Sequence, residues 1–145
     1  MQRTKFFFFF ISEQDWIRYN TFIKNSNLKF IFDLNVILRN GSTWNSTNAE
    51  RLIKFSEKNK FFMDFQLGNE PNSFQHVFNK SISGAQLCED YRKLKEILNN
   101  SSMYKNSKLI GPEVTRPKNI QESSVKYLKD FLSNNISVDV VSWHQ

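Results

Sequence analysis

The spacing of apolar and polar positions changes several times along the chain, and each change marks an element. From Ser12, apolar residues return at Trp16, Tyr19, Phe22 and Ile23, one face of a helix, with Ser12 three places before Asp15 as its cap. Leu28 to Leu38 carries Phe30, Ile31, Phe32, Leu34, Val36 and Ile37 and reads as a buried strand. A helix then opens near Ser46 or Thr47, with Thr47 and Glu50 spaced as a capping box and Ala49, Leu52 and Ile53 facing inward. Phe61 to Leu67 is short, aromatic-rich and stopped by Gly68, so it reads as a strand. After a loop of roughly ten residues, Ser83 to Asn99 holds Leu87, Tyr91, Leu94 and Leu98 on one face, the clearest amphipathic helix of the chain. Lys108-Leu109-Ile110 is a short strand ended by Gly111-Pro112. A helix from about Ile120 to Leu132 packs Val125, Leu128 and Leu132, and Ser137 to Trp143 is a final strand. At the start, Phe6 to Ile11 reads as one more strand.

Strands and helices thus alternate, which implies an α/β fold with a parallel sheet and right-handed crossovers. Such a sheet is either doubly wound or part of a barrel. Neither a Gly-x-Gly-x-x-Gly nor a Gly-x-x-x-x-Gly-Lys loop occurs, and with four glycines in all the phosphate-cradling readings are weak. A complete (β/α)8 barrel takes about 250 residues, so 145 residues hold only some four or five of its units. The expectation is a single domain over 1–145 that is a fragment of such a barrel, truncated at both ends.

Composition narrows the classes. An apolar content of 39%, with 15% aromatic, is enough for a core and argues against disorder. The net charge of +6 is spread without long basic blocks, which gives a modest pull on polyanions. Charge alone does not choose between nucleic acid, an acidic polysaccharide and a plain solvated surface, but no basic-aromatic motif accompanies it, so no nucleic-acid partner is expected. Cys88 is the single cysteine, which forbids a disulfide within the chain and reads as a small buried hydrophobe. No Cys/His cluster has ligand spacing, so neither a metal nor a cofactor is expected. No apolar run reaches the roughly 18 residues of a membrane span, and association with a membrane surface stays open. Met1 to Lys5 followed by Phe6 to Ile11 mimics a signal peptide, but the apolar stretch is too short and no small-residue cleavage site follows. Asn-x-Ser/Thr sequons stand at Asn40, Asn45, Asn79, Asn99, Asn100 and Asn135, against about two or three expected by chance, and tilt the compartment toward the secretory pathway.

The chemistry concentrates at Gln66-Leu67-Gly68-Asn69-Glu70-Pro71-Asn72, where a carboxylate sits between an amide and a proline as an apolar run ends. In α/β barrels the C-terminal ends of the strands carry catalytic side chains. Glu70 placed there, beside Asn69, has the makings of a general acid in glycoside hydrolysis.

Further stretches, Phe32-Asp33-Leu34-Asn35, Leu38-Arg39, Trp44-Asn45-Ser46, Asn48-Ala49, Leu67 to Phe74, Gly84-Ala85-Gln86-Leu87, Gly111-Pro112 and Trp143-His144, carry a family likeness. From about Ser12 to His144 the chain resembles the heparanase-like endo-β-glucuronidases of glycoside hydrolase family 79. Asn-Glu-Pro alone is common to many barrel glycosidases; the run Leu67 to Phe74 with its flanking matches is specific.

The resemblance implies a (β/α)8 barrel whose third, fourth, fifth and sixth strands begin near Phe30, Phe61, Lys108 and Ser137. It implies that Glu70 is the proton donor, with a raised pKa, and that Asn69 bonds the sugar 2-hydroxyl. A retaining glycosidase also needs a nucleophilic carboxylate, which the family supplies from the seventh strand, past Gln145. By the same resemblance Glu113 is an acidic residue that is not the nucleophile, and the 145 residues alone are not expected to turn over substrate. Asn35, His76, Arg116, Lys118 and His144 are candidates for lining a site that takes a heparan-sulfate-like acidic polysaccharide, with a lysosomal or extracellular setting. A non-catalytic glycan-binding relative is the alternative.

Overall fold

The computed structural model describes residues 10–119 and 122–145, which divide into two compact units at Phe30/Ile31. In the first unit α1 (Glu13–Asn25) is capped as expected, the Ser12 hydroxyl accepting from the Asp15 amide at 3.1 Å. Its expected apolar face is only partly used: Trp16 is buried and stacks near Tyr19 and Phe30, whereas Tyr19 and Phe22 are exposed. The strand expected at Phe6 to Ile11 falls mostly outside the described residues, and Phe10 and Ile11 form no regular element.

The second unit holds the sheet. Its elements are β1 (Ile31–Leu34), a short hairpin of β2 (Arg39–Asn40) and β3 (Thr43–Trp44), α2 (Thr47–Lys58) and β4 (Asp64–Leu67). A 3-10 turn at Pro71–Ser73 leads into α3 (Phe74–Phe78), followed by α4 (Gly84–Asn99), β5 (Leu109–Ile110) and α5 (Ser123–Ser133). The strands β1, β4 and β5 are parallel in the order β1-β4-β5, with Leu34 beside Leu67 and Gln66 beside Ile110. This is the expected α/β arrangement. As the middle strand, β4 is buried on both faces: Phe65 and Leu67 are fully enclosed and Gln66 nearly so.

Several expectations are corrected. The strand read over Leu28 to Leu38 stops at Leu34, because the Asn35 side chain turns back to accept from the Ile37 amide at 2.8 Å and the chain enters the hairpin. At the start of α2 the Thr47–Glu50 box does not form: Asn45 Oδ1 accepts the Thr47 amide, and the Ser46 hydroxyl donates to Glu50. In α5 the buried positions are Ser124 and Phe131, and Leu132 is exposed; Ile120 lies outside the described residues.

Helix α4 matches its reading. Ser83 and Gln86 make a complete capping box, worth about 1 kcal/mol, and Leu87, Tyr91, Leu94 and Leu98 are buried. It packs along α5, where the Tyr91 ring meets Phe131 edge-on at 5.3 Å. The Tyr91 hydroxyl crosses into the sheet, donating to the Ile110 carbonyl at 2.8 Å and accepting from the Leu67 amide at 3.1 Å. Gly111 makes room for it: a Cβ there would overlap the hydroxyl. Beyond β5, residues 139–144 run parallel to it, touching at Ile110–Val140 and Val114–Trp143 rather than as the continuous strand expected over Ser137 to Trp143. The Asp139 carboxylate takes the Leu109 amide at 2.8 Å, using a ladder position.

Candidate active site

Two neighbouring strands end the same way. Leu67-Gly68-Asn69-Glu70 follows β4 and Ile110-Gly111-Pro112-Glu113 follows β5, so an identical apolar-Gly-x-Glu step lifts two carboxyls out of the same end of the sheet. The two turns are pinned together, Asn69 pairing with Glu113 and the Glu70 amide donating to the Glu113 carbonyl at 2.7 Å. Asn72 clasps the second turn, donating to the Thr115 hydroxyl at 2.7 Å and accepting its amide at 3.1 Å.

Glu70 itself has φ +52° and ψ +52°, a left-handed conformation that costs a non-glycine residue on the order of 1 kcal/mol or more. Gly68, at φ +83°, has Val36 so close that a Cβ would meet its Cγ1 at 2.5 Å. The chain therefore bends sharply between β4 and the 3-10 turn, and the bend aims Glu70 sideways across the strand ends.

His144 meets it there. Nδ1 of His144 lies 2.6 Å from Glu70 Oε1, and Nε2 lies 3.1 Å from Glu113 Oε1. The imidazole is held by its own backbone, whose amide donates to the Val114 carbonyl at 2.9 Å. The second oxygen of Glu113 accepts from the Gln66 side-chain amide, which reaches up from β4. Glu70, His144 and Glu113 all keep part of their side chains in contact with solvent.

Glu70 also lines a cavity of about 380 Å³ together with Asn69, Asn35, Asp33, Val36 and Phe74. Asn35 faces this space while its Oδ1 is committed to the Ile37 amide, and its carbonyl accepts from the Trp44 indole at 2.9 Å. Asp33 was not singled out by the sequence. Its carboxylate accepts from the Gly68 amide at 2.6 Å, bracing the turn before Glu70. The residue keeps solvent contact along the cleft, yet the packing around its carboxyl raises the pKa to about 6, with Glu113 adding to the rise and the Gly68 amide opposing it.

The structure therefore brings together Glu70, Asn69, Asn35 and His144 from the sequence reading, and adds Glu113, Asp33 and Gln66. It does not bring in His76, which is exposed on α3 and off the cavity wall. Arg116 and Lys118 are also exposed, on the segment after β5, where the Lys118 amide donates to Glu122 at 2.8 Å and so draws an acidic side chain toward the basic pair. Among the described residues no group of three or more His, Cys, Asp or Glu side chains could hold a metal ion, and no helix is long and apolar enough to cross a membrane. Cys88 is buried in α4, and burial pushes its thiol up, away from the reactive thiolate.

Residues 4–145 match the family described as glycosyl hydrolase family 79, N-terminal domain. Heparanase of Bos taurus is 38% identical over 126 residues, which is 86% of this chain and 22% of that protein. Inactive heparanase-2 of Mus musculus is 35% identical over 120 residues, 81% of this chain and 20% of that protein. Hyaluronoglucuronidase of Hirudo nipponia is 32% identical over 101 residues, 63% of this chain and 20% of that protein. The chain spans about a fifth of the length of these curated relatives.

Proposed function

Since the chain belongs to glycosyl hydrolase family 79, we propose that it supplies the acid/base half of a retaining glycosidase acting on β-glucuronidic bonds in heparan-sulfate-like chains. Glu70 is the general acid and then the general base, and Asn69 bonds the sugar 2-hydroxyl as the ring flattens toward an oxocarbenium ion. The observation that carries this reading is the left-handed turn at the end of the central strand, which holds Glu70 and Asn69 on the wall of one cavity. Strands β1, β4 and β5 and the segment 139–144 correspond in this reading to the third, fourth, fifth and sixth strands of a (β/α)8 barrel, with residues 1–145 as part of that domain. The nucleophilic carboxylate is assigned to a seventh strand outside these residues.

Bond cleavage needs Glu70 protonated at the glycosidic oxygen, and hydrolysis of the glycosyl-enzyme needs it ionised to take a proton from water. Asn35 bounds the cavity opposite the turn. Arg116 and Lys118, exposed on the segment after β5, capture the acidic chain before it reaches the cleft, with exposed His76 as a further outer contact, in a secreted or lysosomal setting. Neutralising Arg116 and Lys118 together is expected to weaken retention on a heparin column, and unchanged retention would remove this capture role.

The acid role is tested in the complete protein by Glu70→Gln. Hydrolysis of a heparan-sulfate oligosaccharide, whose leaving group needs protonation, is expected to fall about 100- to 10,000-fold, while an activated aryl β-glucuronide loses much less. Equal loss on both substrates, or none, refutes the assignment. Similarity to inactive heparanase-2 favours a second reading, a glycan-binding relative without turnover. That reading requires the unsubstituted protein to bind heparan sulfate and leave it intact.

A further inference from the structure

We infer that Glu113 is a positioning residue for Glu70, acting through the His144 imidazole; this rests on the glycosidase reading of Glu70 above. Both ring nitrogens of His144 face carboxylate oxygens, Glu70 Oε1 at 2.6 Å and Glu113 Oε1 at 3.1 Å. A neutral imidazole has one N–H, and an ionised carboxylate only accepts. With both glutamates ionised and the ring neutral, one of the two contacts has no hydrogen in it.

Glu113 decides which. Its Oε2 is already taken by the amide of Gln66, itself buried in β4, and its backbone carbonyl is fixed on the Glu70 amide at 2.7 Å. The carboxylate is thus held at both ends, with Oε1 left to accept from Nε2–H. Among the described residues the one ion pair of Glu113 is with His144, and Asp33 from β1 and Glu70 across the ring are both acidic, so they do not compete as donors for that oxygen. Holding the proton on Nε2 turns the Nδ1 lone pair toward Glu70.

A bond at Nδ1 then needs one more proton, carried either by Glu70 as a carboxylic acid or by the ring as imidazolium. Moving it between Oε1 and Nδ1 interconverts acid plus imidazole with carboxylate plus imidazolium, and neither total charge nor proton count changes. Those are the two states that Glu70 needs in the two halves of a retaining reaction. Glu113 takes no part in bond making. It resembles the carboxylate that fixes a histidine tautomer in hydrolytic triads, here with a glutamate rather than a hydroxyl at the far nitrogen.

The test is a nitrogen-15 NMR measurement of the imidazole rings in the 145-residue chain, which has only two histidines, so that exposed His76 serves as the internal reference. At about pH 8 the neutral His144 ring is expected in the Nε2–H tautomer by at least about tenfold, and Glu113→Gln is expected to bring that ratio to within about threefold. Glu113→Asp, which keeps an ionised acceptor, is expected to restore part of the bias. A slowly exchanging Nε2 proton on His144 in the unsubstituted chain is a second expected signal, and it requires no variant to fold.

A dominant Nδ1–H tautomer, a ratio indifferent to Glu113→Gln, or a rapidly exchanging Nε2 proton would overturn the inference. None of these readouts needs turnover. A failed relay therefore leaves the glycosidase reading standing, whereas an intact relay with no loss of hydrolysis on Glu70→Gln sinks that reading alone. In the complete protein, Glu113→Gln is expected to lower kcat about tenfold and alter its pH profile, with KM little changed.

Discussion

Removing one oxygen atom tests how the sheet is held at the level of the site. Tyr91→Phe keeps the ring, its packing on Phe131 and its burial, and deletes the hydroxyl that joins the Leu67 amide of β4 to the Ile110 carbonyl of β5. The Phe65 amide bonds the Lys108 carbonyl directly, and the hydroxyl stands one rung, two residues, further along the same pair of strands. Each group left unpaired in a dry interior costs about 1–3 kcal/mol, and two are exposed to that loss, so destabilisation of about 3 kcal/mol is expected. Because burial pushes the Tyr91 phenol far above its usual range, it stays protonated at any working pH and the loss does not depend on pH.

Urea titration followed by circular dichroism measures it. The midpoint is expected to fall by about 1–2 M with the slope unchanged, and hydrogen exchange is expected to speed most at Leu67 and its neighbours. A loss below about 0.5 kcal/mol would refute the reasoning, since it would mean that the strands close and pair these two groups without help.

Two further substitutions probe separate features. Arg39 pairs with buried Asp90 at 2.6 Å, and burial raises the Asp90 pKa despite that partner, so Arg39→Met strands a carboxylate and should cost about 3 kcal/mol by urea titration; a neutral result would show that the pair adds nothing. Asp33, with a pKa raised to about 6 in the folded chain against an ordinary 3.8, binds more protons folded than unfolded between those values. Stability should therefore fall as pH rises from about 4 to 6, by about 1 kcal/mol given the residue's solvent contact, and the difference curve against Asp33→Asn should show that slope. A flat difference curve would contradict the perturbed pKa.

The sequence was most readable where a single physical signal decided the outcome. The i, i+4, i+7 stripe of α4 is local and is present, and the structure adds the Ser83–Gln86 capping box that starts it. The strand ahead of Glu70 was legible because Gly68 stops a short aromatic run, although it starts at Asp64 rather than Phe61. The misread ends share a cause: a polar side chain intercepts a backbone group, as Asn35 does after β1, Asn45 before α2 and Asp139 beside β5, and such competition is not visible in apolar spacing. On α1, exposed Tyr19 and Phe22 show that helical period identifies an apolar face without saying how much of it is covered.

For the site, Glu70 and Asn69 are legible from the strand-end pattern and His144 only from the family likeness; Glu70 and His144, 74 residues apart in the chain, meet because β4 and segment 139–144 lie on either side of β5. Glu113 had a signal that went unused, the repeated apolar-Gly-x-Glu step after adjacent strands. Asp33 had none, since a carboxylate near a strand end is ordinary until the Gly68 amide is seen against it.

The positive φ at residue 70 has an evolutionary edge. Glycine would relax that turn and strengthen the fold by about 1 kcal/mol, and a single second-base change in either glutamate codon supplies it. On the proposed acid/base role of Glu70, selection for robustness and selection for chemistry pull in opposite directions at this position. A lineage released from hydrolysing glycans would have a downhill route by which to lose the carboxyl, and its proteins would be the sturdier for it.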